Sequence, residues 1–463
     1  MAYRTLNPFN KELVKEFPSS THEDISAAIE KGHQAFLVWR DKSLEERAAL
    51  LQKAADILRE QADDYAKLIT LEMGKVFVEA KGEIATCVGM LEDYAQHGAE
   101  YLAPRYMPST KYGKDSVRLV HEPQGIIMTV EPWNFPAYQV IRIAAPQLMA
   151  GNTVLLKHAS IVPQCALAFE KLFRDAGFPD GCFQSLFISH DQLEEIIADP
   201  RVRGVALTGS EGAGSAVSAI AGKYLKKSTL ELGGADAFIV LADADIDKAV
   251  AWAVMGRHWN GGQVCCSSKR MIIVDSIYDE FMEKYRAGVA KLRAGDPMDP
   301  HTQLAPLSSD EAVDKLRSQV EMARKEGVTV EEIGNPVPES GYFFQPTILT
   351  DIPEGAQTRH TEFFGPVTSV YRVKDEDEAI TIANDSPYGL GGSIFTSDIE
   401  HGKELARRID TGMVYLNHPT GVGADIPFGG VKNSGFGREL TDLGIMEFVN
   451  SKIIVDSNID DAF

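Results

Sequence analysis

An α/β fold built on two doubly wound parallel sheets, with a smaller β arm, is what this sequence predicts. Three observations carry that reading. At 463 residues the chain exceeds what one hydrophobic core usually serves, so two large domains are expected. Apolar strand-like runs alternate with helix-like segments from about residue 126 to 224, and the alternation resumes near 237. Short β runs stand apart at 116–122 and 451–456.

Taken in order, the first hundred residues read as helical. Ser43-Leu44-Glu45-Glu46 is a capping box, in which hydroxyl and carboxylate satisfy the orphan N–H groups of a helix start. Leu44, Leu51, Leu58 and Tyr65 then recur every seven residues, with Ala48, Ala55, Ala62 and Ile69 beside them. This is one apolar stripe on a helix of about six turns. The alanines and the small number of repeats favour a packed helix over a coiled coil.

Residues 116–122 alternate apolar and polar side chains, as a half-exposed strand does. Strands are expected at 126–130, 153–156, 183–188 and 202–207, and helices near 138–149, 163–175, 192–198 and 213–224. A parallel sheet of this kind binds nucleotides at the carboxyl ends of its strands. A second α/β unit starts near Gly233, with a strand at 237–241 and a helix capped by Asp243 or Asp245. That helix runs into Gly261-Gly262-Gln263-Val264-Cys265-Cys266-Ser267-Ser268-Lys269-Arg270. The run at 451–456 has no obvious partner in the chain, so pairing with another subunit is expected.

Composition narrows the function. A net charge of −21 argues against nucleic acid or an anionic membrane surface as partner, since both require a basic face. No apolar stretch approaches the roughly 18 residues of a membrane span, and the segment from Met1 to Pro8 has no apolar signal core. The cysteines (Cys87, Cys165, Cys182, Cys265 and Cys266) number five and lack metal-finger spacing. No metal is expected, and a reducing, cytoplasmic compartment is.

Several segments have the chemistry of a site. Small neighbours and free backbone N–H groups around Cys265 suit a thiolate nucleophile. Thr208-Gly209-Ser210-Glu211-Gly212 closes a strand and opens a helix: either a phosphate site or a tight turn. Lys157 ends another strand and can reach a ribose hydroxyl or a 2′-phosphate; Ser160, unlike a carboxylate, would not repel that phosphate. Two prolines hold the backbone around Asn134 in Glu131-Pro132-Trp133-Asn134-Phe135-Pro136, so its amide is either an oxyanion donor or part of an Asx turn. Glu231, ahead of Gly233 and Gly234, is either a general base or a salt-bridged surface residue. Glu362-Phe363-Phe364-Gly365-Pro366 offers a carboxylate and an aromatic face, and 427–439 is a glycine-rich loop.

In chain order, PWNFP, ELGG, GQxCxxxxR, EFFGP and PFGGxKxSGxGRE resemble the aldehyde dehydrogenase superfamily over nearly the whole chain. The resemblance implies Cys265 as nucleophile, Asn134 as oxyanion donor and Glu231 as general base. Cofactor contacts fall on Trp133, Lys157, Ser160, Gly209, Ser210, Glu362 and Phe364. It also implies a Rossmann-like dinucleotide-binding domain from 1–108 and 125–233, a catalytic domain at 234–433, and an oligomerisation arm from 109–124 and 434–463. The partners expected are a small aldehyde, NADP or NAD, and further copies of the chain in a homodimer or homotetramer.

Two segments depart from the common pattern. Ala235-Asp236-Ala237 follows ELGG, and Glu131 precedes PWNFP where Thr or Ser is usual. Neither falls on a named role. Cys266 is read as a small filler, against the alternative of a vicinal disulfide.

For the substrate, the overall pattern is most similar to bacterial NAD(P)-dependent succinate-semialdehyde dehydrogenases. There an arginine at the position of Arg142 binds the distal carboxylate; an interdomain salt bridge is the alternative. A second arginine found in some of those enzymes is Trp259 here, with Arg257 and His258 close by. A broader aliphatic or phosphorylated aldehyde is the competing substrate class. An inactive structural homologue and a nucleotide-independent thiol esterase are the competing functions.

Overall fold

The computed structural model describes residues 3–460; positions 1–2 and 461–463 of the expected domain bounds lie outside the described residues. Two parallel sheets organise it. The first runs Gly435–Phe436, Lys227–Glu231, Val202–Thr208, Ile126–Glu131, Thr153–His158, Phe183–Ser185. Its strands are parallel except for antiparallel Gly435–Phe436 at one edge. Chain order reverses between Ile126–Glu131 and Val202–Thr208, and an open α/β sheet has its binding crevice at such a switch point. The helices Tyr138–Ala150 and Pro163–Ala176 and the N-terminal helices pack on it through a core reaching from Trp39 to Phe183.

The second sheet is ordered Thr329–Glu332, Thr347–Thr350, Val367–Val373, Arg270–Val274, Ala237–Val240, Gly392–Phe395, Tyr415–Leu416. Thr329–Glu332 is its antiparallel strand. Fully buried strands such as Arg270–Val274 read as continuous apolar runs because helices cover both faces.

Four expectations needed correction. The chain opens with an antiparallel hairpin, Tyr3–Leu6 with Leu13–Phe17, where helix was expected. Its buried Tyr3 and Thr5 alternate with exposed Arg4, a period of two that four residues barely express. The six-turn helix is broken: Leu44–Glu60 and Ala62–Met73 meet at Gln61, whose φ −102° and ψ 17° leave the helical region. A stripe of apolar residues cannot register that break, because both helices bury the same side. The terminal strand Val449–Val455 pairs within the chain, antiparallel to Gly113–Pro123, with Arg105–Ser109 on the far side. Gly435–Phe436, assigned to the arm, lies on the edge of the first sheet.

Candidate active site

The carboxyl ends of the switch-point strands face the cysteine turn across a cavity of about 330 Å³. Trp133, Asn134, Thr208, Gly209, Ser210 and Cys265 line it, with Glu362 and Phe364 on the opposite wall.

The cysteine turn is bent by Asn260, Gly261 and Gly262, with φ 52°, 62° and 77°. Glycine is required at 262, because a Cβ there would stand 2.5 Å from the Gly365 carbonyl oxygen. Arg257, fully buried, clamps the turn to the EFFGP loop. Its guanidinium donates to the carbonyls of Phe363 at 2.9 Å and Val367 at 2.7 Å, and to Ser267 Oγ at 2.9 Å. Cys265 remains partly exposed while Cys266 is buried. A hydrogen bond from Cys266, then the charges of Lys269 and Arg142, hold the Cys265 thiol below the usual range against the effect of burial.

Asn134 is immobilised from both sides. Its Nδ2 donates to Gln263 O at 3.1 Å, and its own carbonyl accepts from Asn260 Nδ2 at 2.9 Å. The turn that follows is tied to Glu83, which accepts from the N–H groups of Ala137 at 2.8 Å and Tyr138 at 2.9 Å. Asn134 is thus no Asx turn: its amide spans from one domain to the nucleophile's loop, with a second N–H to spare.

Glu231 is buried, and neither carboxylate oxygen has a hydrogen-bond partner. Gly429 makes its room, since a Cβ there would lie 2.8 Å from Glu231 Oε1. Its carboxyl is pushed well up by burial, then by the charge of Glu439, while Arg142 and Arg438 oppose.

Of the residues expected to contact the cofactor, Trp133, Gly209, Ser210, Glu362 and Phe364 line the cavity at Cys265, and Lys157 and Ser160 are not among its lining residues. Ser210 caps the helix Glu211–Lys223, its Oγ accepting from Ala213 N at 3.3 Å. Lys157 is 4% exposed and forms no ion pair among the described residues; burial lowers it to about 8. A buried cation without a counter-ion suits an anion arriving from outside. Ser160 stands beside the N-terminal hairpin, its carbonyl accepting from Arg4 N at 3.0 Å. Glu362 Oε1 accepts from Gly234 N at 3.1 Å, and Phe364 meets Trp133 edge-on at 5.9 Å.

A second cavity has a volume of about 360 Å³. Lys75, Glu79 and Glu83 line it, together with Phe135, Tyr138 and Trp259. The last three also line a narrow space at Cys265 and Arg142.

The aldehyde dehydrogenase family profile matches residues 1–454. The chain belongs to the aldehyde dehydrogenase family. It is 48% identical over 452 residues to a protein of Deinococcus radiodurans named succinate-semialdehyde dehydrogenase [NADP(+)], covering 98% of this chain and 94% of that one. A protein of Mycobacterium tuberculosis, succinate-semialdehyde dehydrogenase [NADP(+)] 1, is 43% identical over 98% of this chain and 99% of its own. Among solved structures, succinic semialdehyde dehydrogenase from Streptococcus pyogenes, in complex with NADP+ as the cofactor, superposes with a TM-score of 0.96. It is 43% identical and the match covers 99% of this chain and 100% of that one.

Against the family pattern, Arg142 does not project into an open tunnel. It is 1% exposed, ion-paired with Glu439, and donates to Thr208 Oγ1 at 3.1 Å, over the rings of Tyr138 and Phe428. The salt-bridge alternative is what this conformation holds. Among the described residues Arg142 Nη2 has a hydrogen-bond partner in Thr208, while Nε and Nη1 have none, Nε lying in the ion pair with Glu439. Arg257 and His258 are not substrate-wall residues: Arg257 serves backbone carbonyls, and His258 is buried with Nδ1 on Val254 O at 2.9 Å. Trp259 lines the narrow space at Cys265, 5.2 Å from Phe135.

The two departures from the pattern reach the site after all. Glu131 is buried, accepts from the Thr129 hydroxyl, and joins Glu439 and Glu231 around Arg142. Asp236 accepts from Gly391 N at 3.1 Å, and burial lifts it to about 6. Sequence reading also missed Lys269, Gln139 and Glu83. Gln139 lines both spaces at Cys265 with its buried Oε1 unpartnered. A polar residue at the start of a largely apolar helix was the available signal.

Proposed function

We propose that this protein oxidises succinate semialdehyde to succinate with NADP+, through a thioester on Cys265. The observation that carries the reading is the meeting of three motif residues from distant segments. Cys265 lies in the cleft with Asn134, and Glu231 stands buried within reach of the sulfur's charge.

The residues present fit the dinucleotide. Lys157 and Ser160 would hold the adenosine end, Gly209 and Ser210 the phosphates, and Glu362, Phe364 and Trp133 the nicotinamide end. The lone buried Lys157 cation favours the extra phosphate of NADP+. Bound NADP+ supplies the hydride acceptor.

The chain's own residues do the rest. Cys265 Sγ adds to the aldehyde carbon. The oxyanion accepts from the free Nδ2–H of Asn134 and from the Cys265 backbone N–H. At the thioester stage Glu231 takes a proton from water, which adds to the acyl carbon; the carboxylic acid leaves and Cys265 is restored. The distal carboxylate of the substrate takes the Arg142 guanidinium once that side chain turns from Glu439, with Trp259 closing the wall. The cavity at Lys75 is the aldehyde's route, opposite the cofactor.

The chain acts as a homodimer or homotetramer through the arm, where the edge strand Val449–Val455 exposes Ile453 and Val455. Among the described residues no helix is long and apolar enough to cross a membrane. All the cysteines are free thiols, which supports the cytoplasm. A kinetic panel of succinate semialdehyde, butanal and a phosphorylated aldehyde, each with NADP+ and NAD+, tests the reading. A higher kcat/KM for butanal than for succinate semialdehyde would overturn the substrate.

A further inference from the structure

Lys269 sits under the cysteine turn, on the strand side of it. It is 2% exposed, which is rare for a lysine. Its ammonium donates to two backbone carbonyls of the turn, Val264 O at 2.6 Å and Cys265 O at 2.7 Å. It also pairs with Glu362 Oε1 at 3.1 Å and lies 5.6 Å from the centre of the Phe364 ring. One cation therefore touches the nucleophile's own residue and the carboxylate proposed to take the cofactor. The resemblance assigns this position no role.

A carbonyl pair alone could be served by a neutral donor. Burying an ammonium costs several kcal/mol unless its charge is used. Two partial charges and one carboxylate compensate it here. Its field also reaches the Cys265 thiol.

We propose that Lys269 is a positioning residue of this active site: its buried ammonium fixes the Cys265 carbonyl against Glu362 and supplies the standing positive charge that favours the thiolate. Glu362 is the other end of the same device. A ligand that takes Glu362 relieves Lys269 of part of its counter-charge and strengthens its field at the sulfur. The cofactor thereby reports its arrival to the nucleophile through one side chain. This rests on Cys265 being the nucleophile.

The direction at Cys265 agrees. Lys269 stands among the groups that hold its thiol below the usual range, after the hydrogen bond from Cys266. The other charges facing the sulfur are Arg142 on the helix Tyr138–Ala150, Asp236 ahead of the strand Ala237–Val240, and Glu231.

The test is the pH dependence of iodoacetamide alkylation of Cys265 in the full-length protein, with and without NADP+, followed by peptide mass spectrometry. Lys269→Met should alkylate about tenfold more slowly near neutral pH, a midpoint raised by about one unit. NADP+ should lower the midpoint in the parent and leave Lys269→Met unmoved, while Lys269→Arg stays near the parent. Lys269→Gln keeps donors for both carbonyls without the charge, and serves if methionine at 269 does not fold; it too should raise the midpoint. A folded neutral variant with the parent's midpoint overturns the proposal, because a purely structural tether would behave so. If alkylation of Cys265 in the parent leaves turnover intact, it is the assignment of the nucleophile that fails.

Discussion

Replacing Arg142 by methionine separates two roles that meet on one side chain. The guanidinium is fully buried against Glu439, with Glu131 and Glu231 also around it. Removing it leaves buried carboxylates without their cation, which typically costs ~3–5 kcal/mol of stability. As substrate anchor it would lose a charge-assisted bond worth ~1.5–3 kcal/mol, or roughly 10- to 150-fold in kcat/KM for succinate semialdehyde. Butanal has the same chain length without the carboxylate and should lose far less. The assay is initial-rate NADPH absorbance with both aldehydes, beside thermal melts. Arg142→Met/Glu439→Gln removes one orphaned carboxylate and should recover part of the melting temperature but none of the succinate-semialdehyde preference. An equal loss for the two aldehydes would refute the anchor and leave Arg142 a structural ion-pair partner alone.

Cys265→Ala should abolish turnover while NADP+ still quenches tryptophan fluorescence; residual oxidation at the parent rate would sink the nucleophile assignment. Asn134→Ala should lower kcat by about 100- to 1000-fold, the ~3–4 kcal/mol of one oxyanion donor, with NADP+ binding unchanged. Lys157, lowered by burial to about 8, carries its charge below that pH and loses it above. KM for NADP+ should therefore rise through about pH 8 while KM for NAD+ stays level, and Lys157→Met should remove the difference. Glu79, in the proposed aldehyde route, is raised by burial to about 7. It is neutral below that pH and anionic above, so kcat/KM for succinate semialdehyde relative to butanal should fall as pH rises through about 7. Glu79→Gln should flatten that ratio, and a ratio that still falls in the variant would exclude Glu79 as the source.

The motifs were legible because each is local. A Gly-Gly turn, a fixed proline pair and a strand ending in lysine show their chemistry within a few residues, and their conjunction identified the family. Arg142 was less legible, since its alternatives depended on Glu439, far along the chain, and nothing near either residue announces the other. Glu131 was set aside as a departure without a role for the same reason. Its meaning comes from Thr129, two residues back, and from carboxylates that only folding brings near. Lys269 looked like one more charge in a serine-rich turn until burial removed its solvent.

By itself, the sequence determined the nature of the chemistry at the opening of that turn: a thiol among small residues, with an amide, a carboxylate and a nucleotide-binding sheet. Periodicity and motif spacing are short-range properties, and they survive without coordinates. The tertiary structure alone decided how charge is distributed around the sulfur. It buried Lys269 beneath the cysteine turn, closed Arg142 onto Glu439 and left Lys157 without a counter-ion among the described residues. Electrostatic strength depends on distance and on exclusion of water, and both exist only once the chain is folded.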